Sequence, residues 1–352
     1  MTTTTEQSLW LRDDAYPTNS VPLSGRHIAD VVVIGGGITG LTTALSLLRR
    51  GFDVTLLEAD TIGRGVSGNN TAKVTALQST KYTTLTRTHG AETATAYAAA
   101  ATAGVELLST LAEPIDCDLQ RAPAATFAYT ENERETVRQE ADAAAAAGLP
   151  VHWTETLDVP FSTFGAVRLP GQVLLHPAKY VRGLAALFLA DGGRMFERSR
   201  VTSVSTTSPF DVITTEGSVK AEQVVVATHY PILDRGLFFA RLDAERSYCV
   251  AARLRSGELP EDLAISAGSP AWSLSRHGDH LIVGGQSHSA GDSGVDFSRF
   301  TALSDFAHQH FDVAEVTHRW SAQDPKAYDG LPMVGSYFPG TSGLWVGTGF
   351  AK

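Results

Sequence analysis

The sequence predicts an α/β fold: a lobe built on a parallel sheet, with a second, α+β lobe interleaved along the chain. Three observations carry this. A β-branched run ends in a turn made almost wholly of glycine, "VVVIGGGITG" (31–40). A second strand follows one helix later and ends in an acid, "DVTLLEAD" (53–60). Segments 248–254, 271–275 and 281–285 alternate or run apolar like antiparallel strands.

At 352 residues the chain exceeds the usual size of a single hydrophobic core, so two lobes are expected. With 28 Lys and Arg against 38 Asp and Glu the formal charge is -10, and no basic cluster with interleaved aromatics occurs. Nucleic acid is therefore excluded as a partner. Two cysteines, Cys117 and Cys249, give neither a disulfide framework nor a CxxC metal site and read as small buried residues. Residues 1–14 show neither a basic n-region nor an apolar h-region, so a cytoplasmic location is expected. Segment 31–48 approaches membrane-span length, but its four glycines and three threonines suit a hydrocarbon core poorly. No integral membrane segment is expected.

The element at 31–34 is β-branched throughout, as a strand buried on both faces of a parallel sheet should be. A helix follows to about residue 50: Leu41, Ala44, Leu45 and Leu48 form one apolar stripe, and Gly51 supplies the stop. Residues 53–57 make the next strand. Between strand and helix, Gly35, Gly37 and Gly40 match G-x-G-x-x-G: a tight turn, backbone approach to a pyrophosphate, and close helix-on-strand packing. Glu58 closes the second strand, where an acid can accept hydrogen bonds from ribose hydroxyls. Together these make a Rossmann-like, dinucleotide-binding unit.

The fingerprint alone does not separate one dinucleotide from another. After Glu58 the chain gives "TIGRGVSGNNTAKVTA" (61–76), a loop rich in backbone and hydroxyl donors, where a typical nicotinamide domain would continue with further strands and helices. Residues 65–69, "GVSGN", lack a nucleophile elbow, so serine hydrolysis has no support. At this loop the sequence resembles the glycine oxidase/D-amino acid oxidase superfamily of flavoproteins, in which an acid is followed by a G-x-G-x-S-type loop running under FAD. Ser67, Gly68, Asn70, Thr71, Ala72 and Lys73 occupy the matching positions. The resemblance continues in "HPAKYVRGLAALFLADGGRMFERSRVTSV" (176–204), "GSVKAEQVVVATHYP" (217–231) and "DGLPMVGSYFPGTSGLWVGTGF" (329–350).

The resemblance implies bound FAD, held without a covalent link because no histidine lies in 63–76. It implies Gly35, Gly37, Ile38, Thr39 and Gly40 at the pyrophosphate, with Glu58, Ala59 and Arg64 beside them. The loop residues Ser67, Gly68, Asn70, Thr71, Ala72 and Lys73 follow. Val201 would lie near the adenine and Gly347 and Gly349 near the flavin ring, with Ala227, Thr228 and Phe350 as further cofactor contacts. The implied lobes are a FAD lobe at 27–80, 170–235 and 320–352, and a substrate lobe at 81–169 and 236–319 behind an N-terminal arm, 1–26. Ala-rich segments 91–111 and 131–148 read as helices covering the substrate cavity.

More narrowly, "SLWL", "RGVSGNNTAKVTA", "ATHYPILDRGLFFAR" and "RWSAQDPKAYDGLP" are similar to a bacterial branch of FAD-dependent oxidoreductases in which many members carry a C-terminal Rieske domain. No C-x-H pair is present to ligate such a cluster. The sequence stops at Lys352, where the resembling family continues into a further helix. Amino-acid oxidases of the superfamily place an arginine ahead of the D-G-x-P turn; the matching residue here is Asp324. An acid cannot clamp a carboxylate, so a cationic amine, or a substrate held by other groups, is expected at least as readily as an α-amino acid.

The implied reaction is hydride transfer from a C–H beside an amine nitrogen to flavin, with oxygen or an electron-transfer partner as acceptor. The candidate substrate residues are Tyr248, expected to open a strand, and Gln323, Asp324 and Tyr328, which flank the closing turn. Lys73 and Lys326 read as solvated or phosphate-contacting cations, with promotion of oxygen reduction as the alternative. A dehydrogenase feeding a Rieske or quinone partner, and a flavin-binding subunit without turnover, are the rival readings. No metal site is expected: His308 and His310 sit two apart on a predicted helix and diverge, and His176 and His229 read as satisfying local hydrogen bonds.

Overall fold

The computed structural model describes residues 4–12, 20–233, 235–290 and 294–351, so residues 1–3 and 13–19 of the arm 1–26, and Lys352, lie outside the described residues. The chain enters β1 (Gly25–Ile34), turns through the glycines into α1 (Ile38–Leu48) and returns in β2 (Val54–Leu57). Residues 31–34 and all of β2 are buried, as their unbroken apolar character requires. The loop 61–76, expected to be irregular, holds a 3-10 turn at Val66–Gly68 and a short strand, β3 (Lys73–Val74). Next come α2 (Lys81–His89), α3 (Ala91–Ala112), β4 (Gln120–Phe127), α4 (Arg134–Ala146), β5 (His152–Thr154) and β6 (Ala166–Leu174). Then α5 (Pro177–Ala190) leads to β7 (Arg194–Phe196), β8 (Ser203–Val204), β9 (Phe210–Ile213) and β10 (Gly217–Val226). The remainder is β11 (Leu242–Leu254), β12 (Leu263–Ser266), β13 (Trp272–His277), β14 (His280–Ser289), α6 (Phe297–His310), β15 (Val313–Ala327), β16 (Met333–Ser336) and β17 (Leu344–Thr348).

These elements divide into two compact units. One comprises Asp13–Asn69, Pro177–Glu245 and Gln323–Lys352; the other comprises Met1–Arg12, Asn70–His176 and Arg246–Ala322. The chain thus changes unit after residues 12, 69, 176, 245 and 322, where the sequence placed boundaries after 26, 80, 169, 235 and 319.

The first unit holds a sheet in the order β16-β17-β10-β1-β2-β7, with β9 on β10 and β8 on β9. β1 pairs parallel with β2 and β10, β17 with β10 and β7 with β2, while β16 runs antiparallel on β17. Parallel neighbours place the carboxyl ends of β1, β2, β10 and β17 at one edge of the sheet, where ligands of open α/β folds bind. α1 packs against α5 and against the Val33 face of β1, the stripe Leu41, Ala44 and Leu45 being fully buried.

The second unit holds the sheet β15-β11-β14-β13-β12-β4-β6-β3, with β5 on β6; β13 runs antiparallel to β12 and β14, β6 to β3, β4 and β5, and β12 parallel to β4. Phe127, Tyr248, Leu274, Val283, Phe300 and Phe306 share its core, which α6 covers. α2, α3 and α4 form a helical layer in the same unit. Fully buried Glu140 of α4 accepts the Tyr82 and Thr83 N–H groups, each at 2.8 Å, and so satisfies donors that α2 leaves open at its start. Both cysteines are buried, and no disulfide joins them.

Candidate cofactor site

The turn between β1 and α1 is shaped by crowding. Gly35 has φ +112, and a Cβ there would lie 2.4 Å from the Ala227 carbonyl oxygen; a Cβ on Gly40 would lie 1.9 Å from the Gly35 oxygen. No L side chain fits either place. Gly36, which the fingerprint leaves open, is close-packed by side chains: its Cβ would meet Ile62 Cδ1, which can turn aside, at 2.3 Å and Glu58 Oε2 at 3.1 Å. Sequence reasoning missed this residue because the motif spells it as x, although "GGG" was its signal.

Glu58 is held by backbone on both sides. Its N–H donates to the Phe196 oxygen at 2.9 Å and its carbonyl accepts Ser199 N–H at 2.7 Å, so the end of β2 is tied to the segment after β7. Its carboxylate accepts Gly36 N–H on Oε2 (2.7 Å) and Asp60 N–H on Oε1 (2.8 Å). Each carboxylate oxygen has a second lone pair, so the group can still accept ligand hydroxyls.

Ser67 reaches back from the loop: its Oγ accepts Ile38 N–H at 3.1 Å and fills the capping place that Gly37 cannot fill itself. Thr39 and Gly40 follow Ile38 in the first turn, whose N–H groups have no acceptor inside the helix. Asn69 donates to the Arg64 and Gly65 carbonyls at 3.1 and 2.8 Å, which folds Arg64 to Gly68 into a closed loop. Buried Glu197 accepts Ile62 N–H at 2.7 Å; no sequence signal marked this residue. Ala59 stands half-buried between Glu58 and Asp60.

At the carboxyl end of β10, Ala227 N–H donates to the Ile34 oxygen at 2.8 Å, and Thr228 Oγ1 donates to the Tyr230 oxygen at 2.7 Å. A Cβ on Gly347 would lie 3.4 Å from Thr39 Cγ2 and 3.7 Å from Phe350 Cζ, so β17 ends against α1. Gly349 has φ +74, and Phe350 is half-exposed and bridges to Lys326. Val201 is buried in the unit's core with Val204 and Phe210. The unit therefore gathers the glycine turn, Glu58, Ser67, Thr39 and Gly347 around the carboxyl edge of its sheet.

Four predicted cofactor residues belong to the other unit. Asn70 accepts Trp10 Nε1–H on its carbonyl and Ala72 N–H on Oδ1, with Ala72 at φ +64. The Thr71 carbonyl accepts Ser275 Oγ–H at 3.0 Å. Lys73 directs its ammonium to the Ala264 oxygen and to Ser273 Oγ, between β12 and β13.

Among the substrate candidates, Tyr248 does not open a strand but lies within β11 and is fully buried. Its hydroxyl accepts Asp296 N–H at 2.9 Å and pairs with His288 Nε2 at 2.9 Å. Gln323 is exposed, Asp324 half-buried and Tyr328 74% exposed, all three in the glycine-turn unit. Among the described residues no helix is long and apolar enough to cross a membrane, and no group of three or more His, Cys, Asp or Glu is placed to hold a metal.

Known proteins resemble this arrangement. The chain is 29% identical, over 92% of its length, to the putative Rieske 2Fe-2S iron-sulfur protein YhfW of Bacillus subtilis (strain 168), of which it covers 65%. It is 31% identical, over 67% of its length, to gamma-glutamylputrescine oxidoreductase of Escherichia coli (strain K12), of which it covers 57%. It thus spans less than two thirds of the length of either relative. Glycine oxidase of Geobacillus kaustophilus is 26% identical over 92% of this chain and 88% of its own. The crystal structure of that species' glycine oxidase matches with a TM-score of 0.75 at 23% identity, covering 92% of this chain and 90% of the other. L-proline dehydrogenase from P. horikoshii matches with a TM-score of 0.76 at 17%, covering 94% and 89%. At such identities these likenesses establish the fold. The glycine turn, the acid ending β2 and the closing strand all fall inside residues 30–352, the span matched by the family model described as DAO, FAD dependent oxidoreductase; the chain belongs to that family, and FAD is its cofactor.

Proposed function

We propose that this chain oxidises a C–H bond beside an amine nitrogen, with dissociable FAD held chiefly by the glycine-turn unit. The observation that carries the reading is the cradle at β1–α1: glycines where no Cβ fits, facing a carboxylate that keeps acceptor capacity. Those residues fit the ADP half of FAD. The amides of Thr39 and Gly40 would meet the pyrophosphate, where the α1 dipole favours negative charge. Glu58 would accept from the ribose, with Ala59, Arg64 and Gly68 lining the same loop. The Val201 backbone would lie at the adenine and Gly347 and Gly349 at the ring, with Ala227, Thr228 and Phe350 as further contacts.

When bound, FAD supplies a ring that accepts a hydride. The chain's part is to hold the reacting atoms close and keep water from them. The substrate amine gives its proton to solvent before the hydride departs, and water then hydrolyses the resulting imine. Asp324, standing where an arginine would clamp a carboxylate, favours a substrate that presents a cationic amine; Gln323 and Tyr328 flank it. The names of two relatives, gamma-glutamylputrescine oxidoreductase and glycine oxidase, are those of enzymes acting on amine-bearing compounds, which supports the class.

The test is the visible spectrum of the purified protein before and after anaerobic addition of an amine library. Bleaching of bound flavin by diamines or other cationic amines is expected. A protein that stays colourless with added FAD, or whose flavin no amine reduces, overturns the proposal. A second reading keeps the donor but passes electrons to an iron–sulfur or quinone partner, favoured by the relative named as a Rieske protein. Reoxidation in air decides between them, since an oxidase recolours at once and a dehydrogenase does not.

A further inference from the structure

His229 follows β10 in the left-handed region, at φ +67, which few side chains other than Asn, Asp and His adopt. Two bonds hold it there. Its carbonyl accepts the Thr348 hydroxyl at 2.5 Å, at the end of β17. Its ring Nε2 lies 2.6 Å from the Gln323 carbonyl in β15. A carbonyl can only accept, so Nε2 carries the proton and donates.

Gln323 and Thr348 lie on segments that meet a second time. Lys326 and Phe350 form an antiparallel bridge, and Ala351 N–H donates to the Pro325 oxygen at 3.3 Å. The two segments are therefore tied at one end by backbone pairing and at the other through His229, whose ring meets Gln323 and whose carbonyl meets Thr348. Between the ties lie Asp324 on one side and Gly349 on the other. Burial lowers the imidazole's pKa, against the opposing effect of the Gln323 carbonyl, and so favours the neutral ring.

We infer that His229 is a positioning residue: it sets the spacing between the Gln323–Asp324 segment and the Gly347–Phe350 turn, and through it the alignment of substrate amine and flavin ring. This rests on the function proposed above. It adds a residue that touches neither the glycine cradle nor Glu58, so the two ideas separate experimentally.

The test uses the full chain with and without FAD, in three variants. His229→Asn tolerates the left-handed backbone but is too short to reach Gln323; His229→Gln keeps the reach; Thr348→Val cuts the other bond and leaves residue 229 unchanged. In the chain without FAD, amides of 323–328 should exchange about tenfold faster in His229→Asn, the effect of one lost hydrogen bond. The FAD-loaded His229→Asn and Thr348→Val proteins should bind FAD at wild-type stoichiometry yet show a shifted flavin absorption band, with His229→Gln restoring both readouts. Wild-type exchange in His229→Asn, or an unshifted band in both His229→Asn and Thr348→Val, overturns the inference. Wild-type protein that takes up no FAD refutes the cofactor assignment before any variant is compared, and the exchange measurement still judges the tie itself.

Discussion

Gly36 N–H donates to Glu58 Oε2 over 2.7 Å, so the acid that ends β2 is oriented by the turn it faces. With Asp60 N–H on Oε1, both carboxylate oxygens are aimed by backbone rather than by side chains that could swing away. Glu58→Gln replaces one of these oxygens with a donor group and sets two N–H groups against each other. We expect FAD affinity to fall by about 1–3 kcal/mol, roughly fivefold to 150-fold, with the fold retained. Calorimetric titration of the apo protein measures this; affinity within twofold of wild type would remove Glu58 from the cofactor site.

Gly40 and Gly104 offer a paired contrast. A Cβ on Gly40 would stand 1.9 Å from the Gly35 carbonyl oxygen, which is backbone and cannot step aside, whereas a Cβ on Gly104 in α3 meets nothing within 4 Å. Gly40→Ala should therefore cost about 2–4 kcal/mol and abolish FAD uptake. Gly104→Ala should be neutral or stabilise by about 0.5–1 kcal/mol through helix propensity. Urea denaturation of the two variants side by side decides; equal effects would contradict the crowding at the turn.

The β1–α1–β2 unit was legible because each signal in it is local: a β-branched run, spaced glycines, an apolar stripe and an acid at fixed distance. The antiparallel strands at 248–254, 271–275 and 281–285 were legible for the same reason, as alternation survives in a single segment. What local pattern cannot carry is which residue meets which across the sequence. Tyr248 read as a residue at a strand's opening, yet β11 begins six residues earlier, at Leu242, and the Tyr248 hydroxyl meets His288 and Asp296 far along the chain. Lys73 read as a cation in a cofactor loop, and its contacts with Ala264 and Ser273 are ones only the fold supplies. His229 was recognised as a local hydrogen-bonding residue, but its partners, Gln323 and Thr348, are brought to it only by the sheet.

Those contacts of Tyr248 give it a testable structural weight. The hydroxyl accepts from Asp296 N–H and lies 2.9 Å from His288 Nε2, whose other ring nitrogen lies 2.8 Å from the Ser289 oxygen. With Nδ1 donating to the Ser289 carbonyl, Nε2 is left to accept a hydrogen bond from the Tyr248 hydroxyl, and every group is satisfied. Tyr248→Phe leaves a backbone N–H and an imidazole nitrogen without this partner. A stability loss of about 1–2 kcal/mol is expected, with FAD uptake and flavin reduction unchanged. The reverse pattern, full stability with reduction lost, would place Tyr248 at the substrate.

His318 links stability to pH. It is buried, with its ring 6.2 Å from that of His280 between centroids, and its pKa is pushed down to about 4, first by burial and then by the positive charge of His280, Arg12 and Arg253. In the unfolded chain the same imidazole titrates near its ordinary value of 6.5. Between those values the unfolded state holds the proton and the folded state does not, so stability rises with pH across the window. The contribution is complete above pH 6.5 and is lost progressively as pH falls toward about 4. His280, also lowered by burial, acts in the same direction, whereas Glu140, raised by burial, acts in the opposite one. His318→Gln should therefore flatten the fall of Tm between about pH 6.5 and 4 without abolishing it. A variant whose Tm follows the wild-type slope throughout would show that acid sensitivity arises elsewhere, since no proton uptake at residue 318 would then separate the folded from the unfolded chain.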